Sequence, residues 1–360
     1  MKFVITQSNL NHALRLVGKA VGSAKMHPIL CNVLLCVKTG SLEATCYNID
    51  MGIRHTTVAL VEEPGSVTVP YKLLSEIVAK IDRQAAINFE TDNNSLVLKT
   101  PSGCYRLSTA SAEDFPDLPV IDSENSIDLA VSDSLKAVLS CCSTDESKQV
   151  LTGVHFKAES NQLRLESTDG HRLSIRKQPC EPADIDVVIP AKTLQQVLRV
   201  DSPQISISFD KYQASIAVDD STTIVGRVLD GTFPDVDQLI PKAFKHTLTV
   251  DRRKMLETLE RIAIICCDGS NIVKLKSDDE FGSLLVQAES ETGHGSENMP
   301  STGTLPDIAF NVNYLIDGIK QFHGDEIELL TITSMTPAII KCAKNDDNIY
   351  LVMPVQVRQS

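Results

Sequence analysis

A short strand followed by an amphipathic helix occurs three times in this chain, at intervals close to one third of its 360 residues. The copies are 3–6 with 8–20, 127–132 with 133–142, and 246–250 with 251–265. Apolar residues recur at helical spacing in each: Leu10, Ala13, Leu14 and Val17; Leu135, Val138, Leu139 and Cys142; Met255, Leu256, Leu259, Ile262 and Ala263. That period gives each helix one buried face and one wet face. Ser8 and Asp133 are the expected N-caps, since their side-chain oxygens can accept from the free N–H groups of a first turn. A second strand–helix unit follows in each third: 65–70 with 71–81, 185–190 with 191–200, and 308–311 with 312–322. Pro70 and Pro190 lie 120 residues apart, and each suits the first turn of its helix. Hairpins are expected at 32–37 with 42–47 and at 87–89 with 96–98.

Each third also closes on a similar reversal: Phe115-Pro116-Asp117, Phe233-Pro234-Asp235 and Val352-Met353-Pro354, with proline spacings of 118 and 120. Such a period is a full domain, far longer than the roughly 20–50 residues of a solenoid unit. The expected fold is therefore α+β, with three repeated domains at 1–120, 127–240 and 246–360. Each would carry two helices packed on antiparallel sheets. Segments 111–126 and 229–245, rich in Asp, Pro and Ser, read as linkers, and the polar stretch 290–304 reads as a loop.

Composition narrows the class. With 42% apolar and 22% charged residues the chain is globular. No apolar run approaches the roughly 18 residues of a membrane span, and residues 1–10 lack the apolar core of a secretory signal. A cytoplasmic protein without membrane partners is expected. The ten cysteines include no Cys-x-x-Cys, and Cys141-Cys142 and Cys266-Cys267 are adjacent pairs. Adjacent cysteines suit neither an unstrained disulfide nor a tetrahedral zinc site, so reduced core thiols are expected, with no metal and no cofactor. Gly18-Lys19 lacks the upstream glycines of a phosphate loop.

The net charge of −13, if spread evenly, would argue against nucleic acid. It is not spread evenly. The six helical windows hold twelve basic residues, among them Arg261, and six acidic ones: Glu76, Asp133, Asp251, Glu257, Glu260 and Asp317. Those 70 residues carry +6, and the other 290 carry −19. Lys and Arg are good helix formers on wet faces, which is one account of the excess. The other is that the helices face one polyanion, touching phosphates without reading bases. The windows lack the interleaved aromatics of a single-strand stacking platform.

Three strings stand out: Leu151-Thr152-Gly153-Val154-His155-Phe156, Ser167-Thr168-Asp169-Gly170-His171-Arg172-Leu173, and Tyr350-Leu351-Val352-Met353-Pro354-Val355. With Pro28-Ile29-Leu30, Phe233-Pro234-Asp235, Phe310-Asn311-Val312-Asn313-Tyr314-Leu315 and the repeat, they span essentially the whole chain. In this ordered set the chain resembles the bacterial DNA sliding clamp family, the β subunit of the replicative DNA polymerase III holoenzyme.

The resemblance implies a non-catalytic processivity factor. Three-domain protomers would pair head-to-tail into a closed homodimeric ring, a heterologous interface whose rotation closes. Helices would line a hole around double-stranded DNA, contacted without sequence preference. The ring would slide while tethering the replicative polymerase and other replication and repair proteins, raising their effective concentration. A separate ATP-driven clamp loader would open it. The DNA-facing residues would be Arg15, Lys19, Lys72, Lys80, Lys136, Lys148, Lys192, Arg199, Arg252, Arg253, Lys254 and Lys320. The partner-peptide pocket would comprise Leu151, Thr168, Gly170, His171, Arg172, Leu173, Pro234, Leu239, Met335, Leu351, Val352, Met353, Pro354 and Val355. The dimer interface would set Tyr105 and Leu107 against Ile264 and Ile265.

Ordinary burial also accounts for Leu151, Leu173, Leu351 and the four interface residues. Asp169 and His171 could form an acid–base pair, although no nucleophile or metal-ligand spacing accompanies them. A non-DNA scaffold of three β-rich repeats is a further alternative. The chain departs from the family pattern at several places: Lys25-Met26-His27 before the first proline, Lys148-Gln149 where Arg-Pro is common, Gln238 at a rim position that is basic in some members, and a tail at 356–360 that could shield the pocket.

Overall fold

The computed structural model describes residues 1–23, 27–121, 126–130, 133–181, 184–200, 202–266, 271–278, 280–342 and 345–356. Lys25, Met26, Ser132, Cys267 and the tail 357–360 lie outside these. The chain forms two compact units: Met1–Val131 with Lys192–Val228, and Ser132–Ala191 with Leu229–Ser360. The division runs through the second sequence repeat. The described residues form six α-helices, α1 (Gln7–Val17), α2 (Tyr71–Lys80), α3 (Asp133–Leu139), α4 (Ala191–Val197), α5 (Arg252–Ile265) and α6 (Val312–Lys320), with three antiparallel sheets.

The first unit holds two sheets. A five-stranded sheet runs Leu60–Glu63, Lys2–Thr6, Ala86–Asp92, Ser95–Thr100, Gly103–Ser108. An eight-stranded sheet runs Ser126–Ala130, Gln204–Phe209, Gln213–Ala217, Thr222–Arg227, Met51–Val58, Ser41–Tyr47, Asn32–Lys38, Gly65–Pro70. In the second sheet, second-repeat strand Thr222–Arg227 pairs directly with first-repeat strand Met51–Val58, from Thr222↔His55 to Gly226↔Met51. At that seam buried His55 shares a 2.9 Å hydrogen bond between Nδ1 and Thr222 Oγ1. Helix α1 buries Leu10, Ala13, Leu14, Leu16 and Val17, the face its periodicity predicts. Its cap is Thr6 rather than Ser8: the Thr6 hydroxyl accepts from Asn9 N–H, and buried Gln7 opens the helix by donating Nε2 to Val78 O at 2.8 Å. Just after α1, Gly18 admits the Tyr71 ring so closely that a Cβ there would lie 1.9 Å from the phenol oxygen.

The second unit is built on one twelve-stranded sheet. Its order is Ile185–Pro190, Gly153–Glu159, Gln162–Thr168, Arg172–Pro179, Asn345–Val352, Ala338–Cys342, Glu326–Thr331, His246–Asp251, Gly293–Gly303, Ser283–Ser290, Ile272–Asp278, Ile308–Asn311. Here too a strand ladder joins two repeats, from Arg172↔Val352 to Arg176↔Asn348. Side chains alternate across a strand, so this seam separates two cores. Leu173, Ile175 and Leu351 enter one cluster, and Tyr350 and Val352 enter the other beneath α5 and α6.

Several boundaries differ from expectation. The stretch 290–304 is not a loop: Gly293–Gly303 pairs with Ser283–Ser290 over eight residues, from Ser283↔Pro300 to Ser290↔Gly293. Met299 is its one buried residue, so the ladder rather than an apolar pattern holds it. Asp133 is the first residue of α3 rather than its cap. Helix α4 stops at Val197, leaving Arg199 beyond it. The expected linkers are anchored by buried Phe115 and Phe233. All nine described cysteines are free thiols. No helix among the described residues is long and apolar enough to cross a membrane.

Candidate partner pocket and charged helix faces

Every residue expected in the pocket lies in the second unit. Residues 168–172 form a tight turn. Gly170 N–H donates to Thr168 Oγ1 at 3.1 Å, and that hydroxyl donates to Arg172 O at 2.7 Å. Asp169 Oδ1 accepts from the backbone N–H groups of His171 and Arg172 at 2.8 and 3.0 Å. Gly170 sits at φ +95°, a region that L side chains rarely adopt. The turn feeds Leu173 into register with Leu351. One residue further, Met353 N–H donates to His171 O at 2.9 Å, so the turn and segment 351–353 run side by side. Val355 N–H donates to Ala309 O at 2.8 Å and fixes the next stretch.

Under this edge lies an apolar cluster of Leu173, Ile175, Val188, Phe233, Val236, Leu330, Ile339 and Leu351. Leu151 packs half-buried at its margin. Pro234 is exposed, and Leu239, Met335 and Met353 are 50%, 59% and 38% exposed. Large apolar side chains left in water around a buried apolar floor are the surface chemistry of a docking site, and methionine adapts to more than one occupant. Val352 is a correction: it is fully buried in the opposite core, so it sets register without lining the pocket. Arg172 also turns to that opposite face. Its Nε donates to Asp169 Oδ2 at 3.0 Å, its Nη1 to Asp317 Oδ2 at 2.7 Å, and its guanidinium lies 4.4 Å above the Tyr314 ring. These carboxylates, working against burial, push the Arg172 pKa further up. The His171 ring stacks 6.4 Å from the same tyrosine.

Asp169 thus meets His171 through the backbone N–H, while its other oxygen is taken by Arg172. No cluster of metal-ligating side chains occurs among the described residues. A separate polar cleft of about 210 Å³ lies between α3 and α6, lined by Asp133, Lys136, Ser140, Lys320, Gln321 and His323 with Ala137 and Asp317. It shares no residue with the apolar cluster of Leu173 and Leu351.

Eleven of the twelve predicted DNA-facing residues are exposed. Arg252 is the exception, half-buried with Nε donating to Gly324 O at 2.9 Å. Lys136, Arg253 and Lys320 pair with Asp133, Glu257 and Glu260 at 3.4, 3.0 and 2.8 Å. Exposed pairs of this kind contribute only about 0–1 kcal/mol, so a phosphate can replace the carboxylate. Arg15, Lys19, Lys72 and Lys80 make no salt bridge among the described residues, and Tyr71 ties α1 to α2 by donating to Leu14 O at 3.1 Å. Lys148 sits apart from the helices, in the 3-10 segment Glu146–Thr152.

Family models of the DNA polymerase III β subunit match the chain in three consecutive segments: the N-terminal domain over residues 1–119, the central domain over 128–235 and the C-terminal domain over 237–356. The chain belongs to the DNA polymerase III β subunit family. The β sliding clamp of Synechococcus elongatus is 34% identical over 375 aligned residues, covering 99% of this chain and 100% of that protein. The β sliding clamp of Synechocystis is 33% identical with the same coverage. The crystal structure of the Bacillus subtilis DNA polymerase sliding clamp superposes with a TM-score of 0.92 at 26% identity, covering 99% and 100% of the two chains.

Of the residues expected at the ends of a clamp protomer, Tyr105 and Ile264 are exposed, the latter by 72%. Leu107 corrects the expectation: it faces Leu96 across the ladder and is 3% exposed, covered by its own unit. Ile265 packs half-buried on the core beneath α5. The sequence reading missed Tyr314 as a site residue, although its string was recognised. It also missed Phe233 and Val236, which join the apolar cluster of Leu173 and Leu351.

Proposed function

We propose that this chain is a non-catalytic processivity factor that encircles duplex DNA as a head-to-tail homodimeric ring in the cytoplasm. The ring slides on DNA and tethers the replicative polymerase, its loader and other DNA-processing proteins through the apolar pocket. The observation that carries this reading is the family match through all three domains, on a chain whose helices present exposed, mostly replaceable cations. The edge of strand Gly103–Ser108, which carries exposed Tyr105 and has no strand beyond it among the described residues, supports self-association because unpaired N–H and C=O groups invite another strand. Retention on DNA tests the ring. The loaded protein stays on a closed circle and runs off when the circle is cut, whereas equal loss from both forms refutes topological binding.

The pocket has its own test. Met353→Asp or Leu239→Asp places a charge on an exposed apolar rim, so partner-peptide binding is lost while the dimer persists. Unchanged binding in both variants refutes the placement. A sliding clamp from Bartonella birtlesii, 26% identical with a TM-score of 0.91, was solved bound to griselimycin. We extend that ligand to this chain and expect it to compete with the peptide.

A further inference from the structure

A chain of charges runs behind the pocket, from a buried histidine to the segment that carries Pro234 and Leu239. His155 lies on strand Gly153–Glu159, with its side chain 8% exposed. Its Nδ1 is 3.0 Å from Glu166 Oε2, and its Nε2 is 2.8 Å from Asp186 Oδ1. Ionised carboxylates only accept, so both contacts are hydrogen bonds only when both ring nitrogens carry protons. The ring also stacks on Phe233 of the pocket floor, with centroids 4.7 Å apart, a favourable seat for a cation.

The second oxygen of Glu166 contacts Arg164 Nε. Arg164 in turn grips Asp237 with two bonds of 2.6 and 3.1 Å. Asp237 opens the 3-10 turn Asp237–Leu239, whose last residue is the exposed pocket leucine. Glu166 is therefore shared between His155 and Arg164, and Arg164 between Glu166 and Asp237. While His155 is charged it balances Glu166 and leaves Arg164 to hold Asp237. When His155 is neutral, one ring nitrogen turns a lone pair on a carboxylate, the cation beside Glu166 is gone in either tautomer, and Glu166 draws more strongly on Arg164.

We propose that His155 is a titratable positioning residue: through Glu166, Arg164 and Asp237 its cation holds segment 233–239 in the shape that receives a partner peptide, and binding weakens as it loses its proton. This rests on the reading of the apolar pocket given above. The charged groups around it come from every neighbouring strand. They are Lys157 and Glu159 on its own strand, Arg164 and Glu166 on the next, Asp186 on the other side, Asp237 on the turn, and Lys177, which acts on Asp237 from strand Arg172–Pro179. Burial opposes the charge on His155. The hydrogen bonds and charges of Glu166 and Asp186 outweigh it and hold the pKa above its ordinary 6.5. Arg164 likewise holds the Asp237 carboxyl below the usual range.

The test is a fluorescence-anisotropy titration from about pH 5.5 to about pH 9. The probe is a fluorescein-labelled short synthetic peptide with bulky apolar side chains at one end, matched to the apolar floor and rim, with the full-length chain as receptor. The His155 ring is followed by NMR over the same range. The affinity of the unaltered chain should be constant at low pH and fall roughly threefold or more along the His155 titration, the order expected of neighbours in one ion-pair network. Asp186→Asn removes one carboxylate that raises the pKa, so both the NMR midpoint and the affinity midpoint move to lower pH. Asp237→Asn, at an exposed residue, weakens the peptide at low pH and flattens the profile. Met353→Asp and Leu239→Asp separate the two readings: retained binding in both refutes the pocket itself. Binding lost in either overturns the His155 proposal if the unaltered profile is flat, or if Asp186→Asn moves the NMR midpoint without moving the affinity.

Discussion

Helix α6 turns Gly318 toward the ring of Tyr350, and Gly318→Ala sets two known effects against each other. A Cβ at this position would lie 2.3, 2.5 and 2.8 Å from three carbons of the ring. Carbon atoms settle at roughly 3.5–4 Å, so the ring must retreat by about 1 Å or more. It has little freedom to do so, because it is fully buried and its hydroxyl donates to Tyr314 O at 2.7 Å. Helix propensity alone predicts a gain of about 1 kcal/mol from replacing glycine by alanine in a helix. Overpacking costs about 1–3 kcal/mol, and disturbing the phenol hydrogen bond about 1 kcal/mol more. The expected net is a loss of about 1–3 kcal/mol. At about 2–4 °C per kcal/mol for a unit of this size, the melting transition should fall by roughly 2–12 °C in calorimetry. Tyr350→Phe releases the anchor, so the alanine should cost less in that background. A melting point that is unchanged or raised by Gly318→Ala alone refutes the argument, because the ring would then yield freely.

Three further outcomes follow from local chemistry. Gly170→Ala meets nothing nearer than Lys148 Nζ at 3.9 Å, so its cost is backbone strain alone, about 1–2 kcal/mol, read as a lower urea midpoint with weaker peptide binding. Burial, then the charge of His12, lowers the His55 pKa below 6.5. The neutral form is the folded one, so its contribution is complete above pH 6.5 and is lost as pH falls through the lower folded value. Urea midpoints of the unaltered chain should therefore drop on acidification, and more so than in His55→Asn. A thiol reagent should label exposed Cys104 at once, while Cys46 and Cys141 wait for unfolding: burial pushes both thiols up, Cys141 to about 11.

Elements with local signals were legible in the sequence. Proline spacing and helical periodicity located all six helices, with end errors of a few residues where α3 and α4 stop early. The cap of α1 was misread because Gln7, a polar residue, is buried and helical, which only its contact with Val78 explains. Strand Gly293–Gly303 was hidden because its one buried residue offers no alternation to detect. At the candidate pocket, motif resemblance named segments that the structure does set side by side, 168–173 and 351–353, but could not tell which way a side chain faces. Leu351 and Val352 are neighbours in sequence and belong to opposite cores. The charge ladder from Asp186 to Asp237 joins residues far apart in sequence, whose individual letters carry no mark of one another.

The ladders that join the repeats bear on how this protein can be taken apart. Thr222–Arg227 belongs to the second repeat but is paired to the first, and Arg172–Pro179 of the same repeat is paired to the third. Excising residues 127–240 as a free-standing domain would strip both ladders at once and leave bare strand edges that seek new partners. Cuts near 131, 191 and 228 follow the grain of the contacts instead. The segment written three times in the chain is therefore not the piece that can be lifted out of it.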